Sequence, residues 1–89
     1  DLHADLCLIN ASSLHETIGL TSSNREIATV KKTMIASAAR TAVCCPSEHL
    51  GQIQPFKVAK INAFRTLITD LPPEDTALDG MPRQDLQIL

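Results

Sequence analysis

Apolar residues in this chain gather in short runs between polar, proline- or glycine-bearing stretches, and one longer segment carries them at helical spacing. Leu6 to Ile9 (LCLI) is a continuous apolar run between Asp5 and Asn10-Ala11-Ser12-Ser13. That pattern predicts a strand covered on both faces, as in a parallel sheet. Thr41 to Cys45 (TAVCC), stopped by Pro46, predicts a second buried strand. Thr66 to Thr69 (TLIT), closed by Asp70 and Leu71-Pro72-Pro73, predicts a third, and Leu86 to Leu89 (LQIL) a fourth.

The segment from Asn24 to Arg40 contains neither Gly nor Pro. Ser23 or Asn24 supplies a cap, Glu26 sits in the first turn where a carboxylate suits the dipole, and Arg40 suits the last turn. With Ile27 at zero on a wheel of about 100° per residue, Val30, Met34, Ala38, Ile35 and Ala28 fall between about -60° and about 100°. This predicts one long amphipathic helix with a single apolar face. Between these elements His15 to Ser23 reads as a loop, and so does Ser47 to Pro55, turning at Gly51. Phe56 to Val58 reads as a short edge strand, Ile61 to Phe64 as a single turn and Pro73 to Asp79 as a short helix. The order predicts an α/β fold with a mainly parallel sheet.

Composition narrows the function classes. The chain has 89 residues, 44% hydrophobic and 20% charged, which is room for one domain. Its net charge is -2 and its basic residues are scattered apart from Lys31-Lys32, so it lacks the dense cationic face that phosphate backbones demand. No apolar run approaches the roughly 20 residues of a membrane span, and DLHADLCLINASS lacks the pattern of a signal peptide. Three cysteines, an odd number, are expected to be reduced thiols in a cytoplasmic protein. A start at Asp1 rather than Met is the expectation for a piece of something longer. Adjacent Cys44 and Cys45 on a strand point to opposite faces and cannot readily chelate one ion, so no metal is expected. No nucleophile elbow, glycine-rich phosphate loop or His-Glu-x-x-His helix is present, and no carboxylates pair as a catalytic couple. No cofactor and no catalysis are expected.

Lys31 resists that plain reading. On the same wheel it falls near about 40°, inside the apolar arc. A buried ammonium is costly without an anion, so Lys31 either lines a cleft and meets an anionic ligand, or covers the core edge with its stem and reaches water with its head. Ligands of open α/β sheets bind beyond the carboxyl ends of the strands. Two polar segments follow strands directly: Asn10-Ala11-Ser12-Ser13 and Pro46-Ser47-Glu48-His49-Leu50-Gly51. Their hydroxyls, backbone N–H groups, carboxylate and imidazole suit a sugar or its phosphate, and equally suit ordinary turns.

In sequence order, Ala4 to Ser13, Gly19-Leu20-Thr21, the helix Glu26-Ile27-Ala28-Thr29-Val30-Lys31-Lys32-Thr33-Met34-Ile35, the Thr41–Cys45 strand with its Ser47–Gly51 loop, and Leu67-Ile68-Thr69-Asp70 form one pattern. It resembles the C-terminal half of the sensor domain of DeoR-type bacterial transcriptional repressors, with residues 1–89 as that part of the effector-binding domain. The resemblance implies a sugar-phosphate-isomerase-like fold that binds a phosphorylated sugar effector. It also implies operator DNA binding through an N-terminal winged helix-turn-helix absent from this chain, and assembly as a homo-oligomer. By the same likeness Lys31, Ser12, Ser13, Ser47 and His49 are the effector-binding residues. The chain departs from the family's Asp-x-x-Lys loop, with Pro46 in place of the acid and His49 in place of the lysine. The competing expectations are a fragment of a sugar-phosphate isomerase or deaminase, or an oligomerisation module.

Overall fold

The structure, a computed structural model, describes residues 4–89. Four strands, β1 (Ala4–Asn10), β4 (Ala38–Cys44), β6 (Thr66–Ile68) and β7 (Gln87–Ile88), form a parallel sheet in the order β1-β4-β6-β7. The fold is therefore α/β with a mainly parallel sheet and one α-helix, α1 (Arg25–Ala36). Each of the four apolar runs supplies one strand of it. The register sets Asn10 beside Cys44 and Cys44 beside Ile68, so three strands end on one level.

A second, three-stranded antiparallel sheet joins β2 (Leu14–His15), β3 (Gly19–Ser22) and β5 (Phe56–Ala59). It corrects the expectation of a loop from His15 to Ser23. The polar stretch there is a tight hairpin, in which His15 Nδ1 accepts hydrogen bonds from the Thr17 and Ile18 N–H groups at 3.1 and 3.3 Å. Gly19 has φ +92 and lies against the backbone of Ala59, so any side chain there meets both strain and a clash.

The helix is shorter than its pattern. Asn24 caps it, with Oδ1 accepting from the Ile27 N–H at 3.0 Å, but it stops at Ala36. The Ser37 N–H closes the last turn onto Thr33 and Met34. Ala38 to Arg40 are taken by β4, which pairs them with β1 from Ala4 to Leu6. No breaker marks this boundary. Strand pairing overrides the helix propensity of an alanine-rich segment.

The buried face also differs from the wheel. Ala28 is buried, Lys31 and Ile35 are half-buried, and Ile27, Val30 and Met34 are exposed. Ala28 and Ile35 pack into a core shared with Cys7, Ile9, Val43, Cys45, Leu67 and Leu20. Their sheet neighbours on the opposite face, Leu6 and Leu8, are 56% and 57% exposed. Coverage of LCLI on both faces is thus corrected to coverage on one. The Pro73–Asp79 segment contains only a 3-10 turn, Thr76–Leu78, capped by Asp75, whose Leu78 is buried in the core. Ile61–Ala63 forms another such turn, as expected.

Candidate functional site

The carboxyl ends of β1, β4 and β6 carry the polar residues that could meet a ligand. Asn10 ends β1, and α1 brings Lys31 over it. Lys31 Nζ donates to the Asn10 carbonyl at 2.6 Å. This satisfies the end of an edge strand with a cation whose stem is half-buried, and that burial pushes the ammonium's pKa below its ordinary value. The odd position in the apolar arc now has a geometric account. Lys31 lies at i+3 from Ala28 and i-4 from Ile35, on the inward face, and its head emerges at the strand end.

Ser12 and Ser13 follow directly. Ala11 extends the sheet through its N–H to the Cys44 carbonyl at 2.8 Å, and the chain then turns into β2. Ser13 is fully buried. Its hydroxyl lies 2.6 Å from Thr21 Oγ1, 2.8 Å from the Thr21 carbonyl and 2.9 Å from Gln54 Oε1. One hydroxyl hydrogen serves only one acceptor. The set closes when Thr21 donates to Ser13 and Ser13 donates onward, while Thr21 Oγ1 accepts from the Gln54 N–H at 2.9 Å. Ser12, half-buried, donates to the same Gln54 Oε1 at 3.1 Å. The two serines are therefore distinct. Ser13 fastens β1, β3 and the segment before β5 together, and Ser12 stands at the margin of that network.

The second segment is anchored from β6. Asp70 Oδ1 accepts from the Ser47 N–H at 2.6 Å and Oδ2 accepts from the Ser47 hydroxyl at 2.8 Å. Those two bonds hold the Asp70 carboxyl below the usual carboxylate range. The neighbouring Thr69 hydroxyl also favours the ionised form, although it makes no well-formed hydrogen bond. Ser47 to His49 form a 3-10 turn, and Leu14 bridges to Leu50 while the Gly51 N–H reaches the Leu14 carbonyl at 2.7 Å. His49 is half-buried, with Nδ1 buried and unpartnered. Both loops are thereby tied to one another and to the sheet. Between β4 and β6 lies a depression of about 330 Å³ lined by Cys44, Cys45, Pro46, Ile68, Thr69 and Asp70.

Of the residues singled out from sequence, Lys31, Ser12 and Ser47 are half-buried at the strand ends, His49 is half-buried in the turn after β4, and Ser13 is enclosed. Thr21, Gln54 and Asp70 were not singled out for these parts. Asp70 carried a signal, being the first polar residue after an apolar run at a strand's carboxyl end. Thr21 and Gln54 carried none, since their role depends on long-range pairing. Cys45 is buried, and that burial, then the neighbouring Cys44 and Asp70, raise its thiol pKa to about 11, which leaves it protonated and unreactive. Among the described residues no group of three or more His, Cys, Asp or Glu is placed to hold a metal ion. No helix there is long and apolar enough to cross a membrane.

A family model described as the DeoR C terminal sensor domain matches residues 1–71. No curated protein matches the chain.

Proposed function

Because this chain belongs to the family of DeoR C-terminal sensor domains, a regulatory family, we propose that it binds a phosphorylated sugar and thereby modulates operator binding by the full-length regulator. Effector sensing within a DeoR-type regulator is the family's role; the sugar phosphate is our reading of the site. Lys31 carries it. A half-buried ammonium, desolvated and held over the end of β1 by one neutral carbonyl among the described residues, gains by exchanging that partner for an anion. Ser12 and the Ser47–His49 turn wall the same strand ends, where a sugar body would lie.

The protein acts in this reading as a repressor in the cytoplasm, and as a homo-oligomer. Support for assembly comes from the exposed apolar residues Ile27, Val30 and Met34 on α1 and Leu6 and Leu8 on the sheet. Ligand binding changes DNA affinity only as far as it favours one conformation over another.

A thermal-shift screen tests the proposal, using pentose and hexose monophosphates beside the unphosphorylated sugars. At a hundredfold excess over Kd a true effector adds about 2.7 kcal/mol of stability. The monophosphates should raise the melting temperature and the free sugars should not. Lys31→Met should remove the shift while melting near the parent. Equal shifts in that variant, or none with any phosphorylated sugar, would overturn the reading.

A further inference from the structure

The strand order sets two opposite charges along one edge. Lys31 stands over the end of β1, and Asp70 follows β6 by two residues, with β4 between them. Because Asn10, Cys44 and Ile68 share one level, two strand spacings separate the poles by on the order of 10 Å. That is comparable with the length of a sugar monophosphate from its phosphate to its far hydroxyl.

Asp70 is not used up by Ser47. Each carboxylate oxygen receives one hydrogen bond and keeps a second acceptor site. The side chain is exposed at the mouth of the depression between β4 and β6, beside the unpartnered hydroxyl of Thr69. This end of the edge cannot take a phosphate. The Ser47 N–H and hydroxyl, donors an anion would need, are already filled by a carboxylate that itself repels anions. What it offers instead is a charged acceptor for O–H groups.

We propose that Asp70 is a specificity-determining residue of the effector site, accepting hydrogen bonds from sugar hydroxyls while Lys31 holds the phosphate at the opposite end. The inference rests on the reading of Lys31 given above and adds an orientation to it. It also adds a selection rule. A ligand with phosphate at one end and hydroxyls at the other fits both poles, whereas a bisphosphate brings its second anion against Asp70.

Calorimetry on the intact protein tests this with three probes: inorganic phosphate, aldose monophosphates and a hexose 1,6-bisphosphate. The parent should bind its best monophosphate at least about tenfold more tightly than the bisphosphate. Asp70→Asn, nearly isosteric, should weaken that monophosphate by about tenfold, leave inorganic phosphate unchanged and narrow the gap to the bisphosphate. Asp70→Ser is the second variant, should Asp70→Asn fail to fold, and should likewise lower monophosphate affinity without affecting inorganic phosphate. Equal weakening of inorganic phosphate and monophosphate by Asp70→Asn would make Asp70 a loop anchor only and overturn the proposal. Monophosphate affinity that depends on Lys31 and is indifferent to Asp70 would overturn it and leave the effector reading standing. A parent that binds no monophosphate would overturn both.

Discussion

The two faces of strand β1 are made of similar residues and meet opposite environments. Along β1, Cys7 and Ile9 turn toward α1 and are 6% and 2% exposed, whereas Leu6 and Leu8 turn away and are more than half exposed. Helix α1 repeats the division, with Ala28 and Ile35 inward and Ile27, Val30 and Met34 outward. A run such as LCLI is written for burial on both sides, as strands of helix-covered parallel sheets are. Among the described residues, the coverage is on one side. Hydrophobicity along the chain therefore reports which residues suit burial, and packing decides which of them obtain it.

That contrast breaks or stands on a pair of substitutions with the largest expected effects. Ile9→Ala removes side-chain volume from a packed core and should cost about 2–5 kcal/mol in urea unfolding. Leu8→Ala, one residue away, should change stability by less than about 0.5 kcal/mol. A Leu8→Ala cost approaching that of Ile9→Ala would mean that the second face is covered in solution, and the loss would then depend on protein concentration if a second copy provides the cover.

The two adjacent serines sharpen the same comparison at smaller scale. Ser13→Ala deletes a fully buried hydroxyl and leaves Thr21 Oγ1 and Gln54 Oε1 short of a partner, a loss of about 1–3 kcal/mol. Ser12→Ala, at the half-exposed margin where water can replace the hydroxyl, should cost less than about 1 kcal/mol. Chemical denaturation of both variants decides it. Similar costs would show that the network extends to Ser12 as an equal member.

Much of this architecture was legible because it is local. The four apolar runs each gave a strand, Asn24 gave the cap, and Pro46 and Leu71-Pro72-Pro73 closed strands as their chemistry requires. The hairpin of β2 and β3 was not legible, because its strands are two and four residues long and are held by β5, more than thirty residues away. The end of α1 was hidden for the same kind of reason, since Ala38 and Arg40 become strand only by pairing with β1. At the site, Lys31 was conspicuous as a charge within an apolar arc, while its partner, a backbone carbonyl, has no sequence signal at all. Asp70 was visible as a carboxylate, but its grip on Ser47 spans 23 residues and exists only in the fold.

The smallest expected effect separates the poles of the edge by their response to pH. Asp70 has its pKa lowered by accepting two hydrogen bonds from Ser47, so the fold favours its ionised form. A depressed carboxyl contributes stability above its unfolded pKa, near 3.8, and that contribution is lost as pH falls through the folded value. Lys31 has its pKa lowered by burial, so the fold disfavours its charged form. Its penalty is present at neutral pH and is relieved as pH rises toward and past 10.5. Melting temperatures of the parent and Asp70→Asn should therefore differ near pH 7 and converge below about pH 4, whereas the small difference between the parent and Lys31→Met should not change in that acid window. The Asp70 difference should also shrink in high salt, because the side chain is fully exposed and its charge is screened. A gap between the parent and Asp70→Asn that persists unchanged to pH 3 would mean that the contact with Ser47 draws nothing from the carboxylate's charge, and the two ends of the edge would then differ in shape alone.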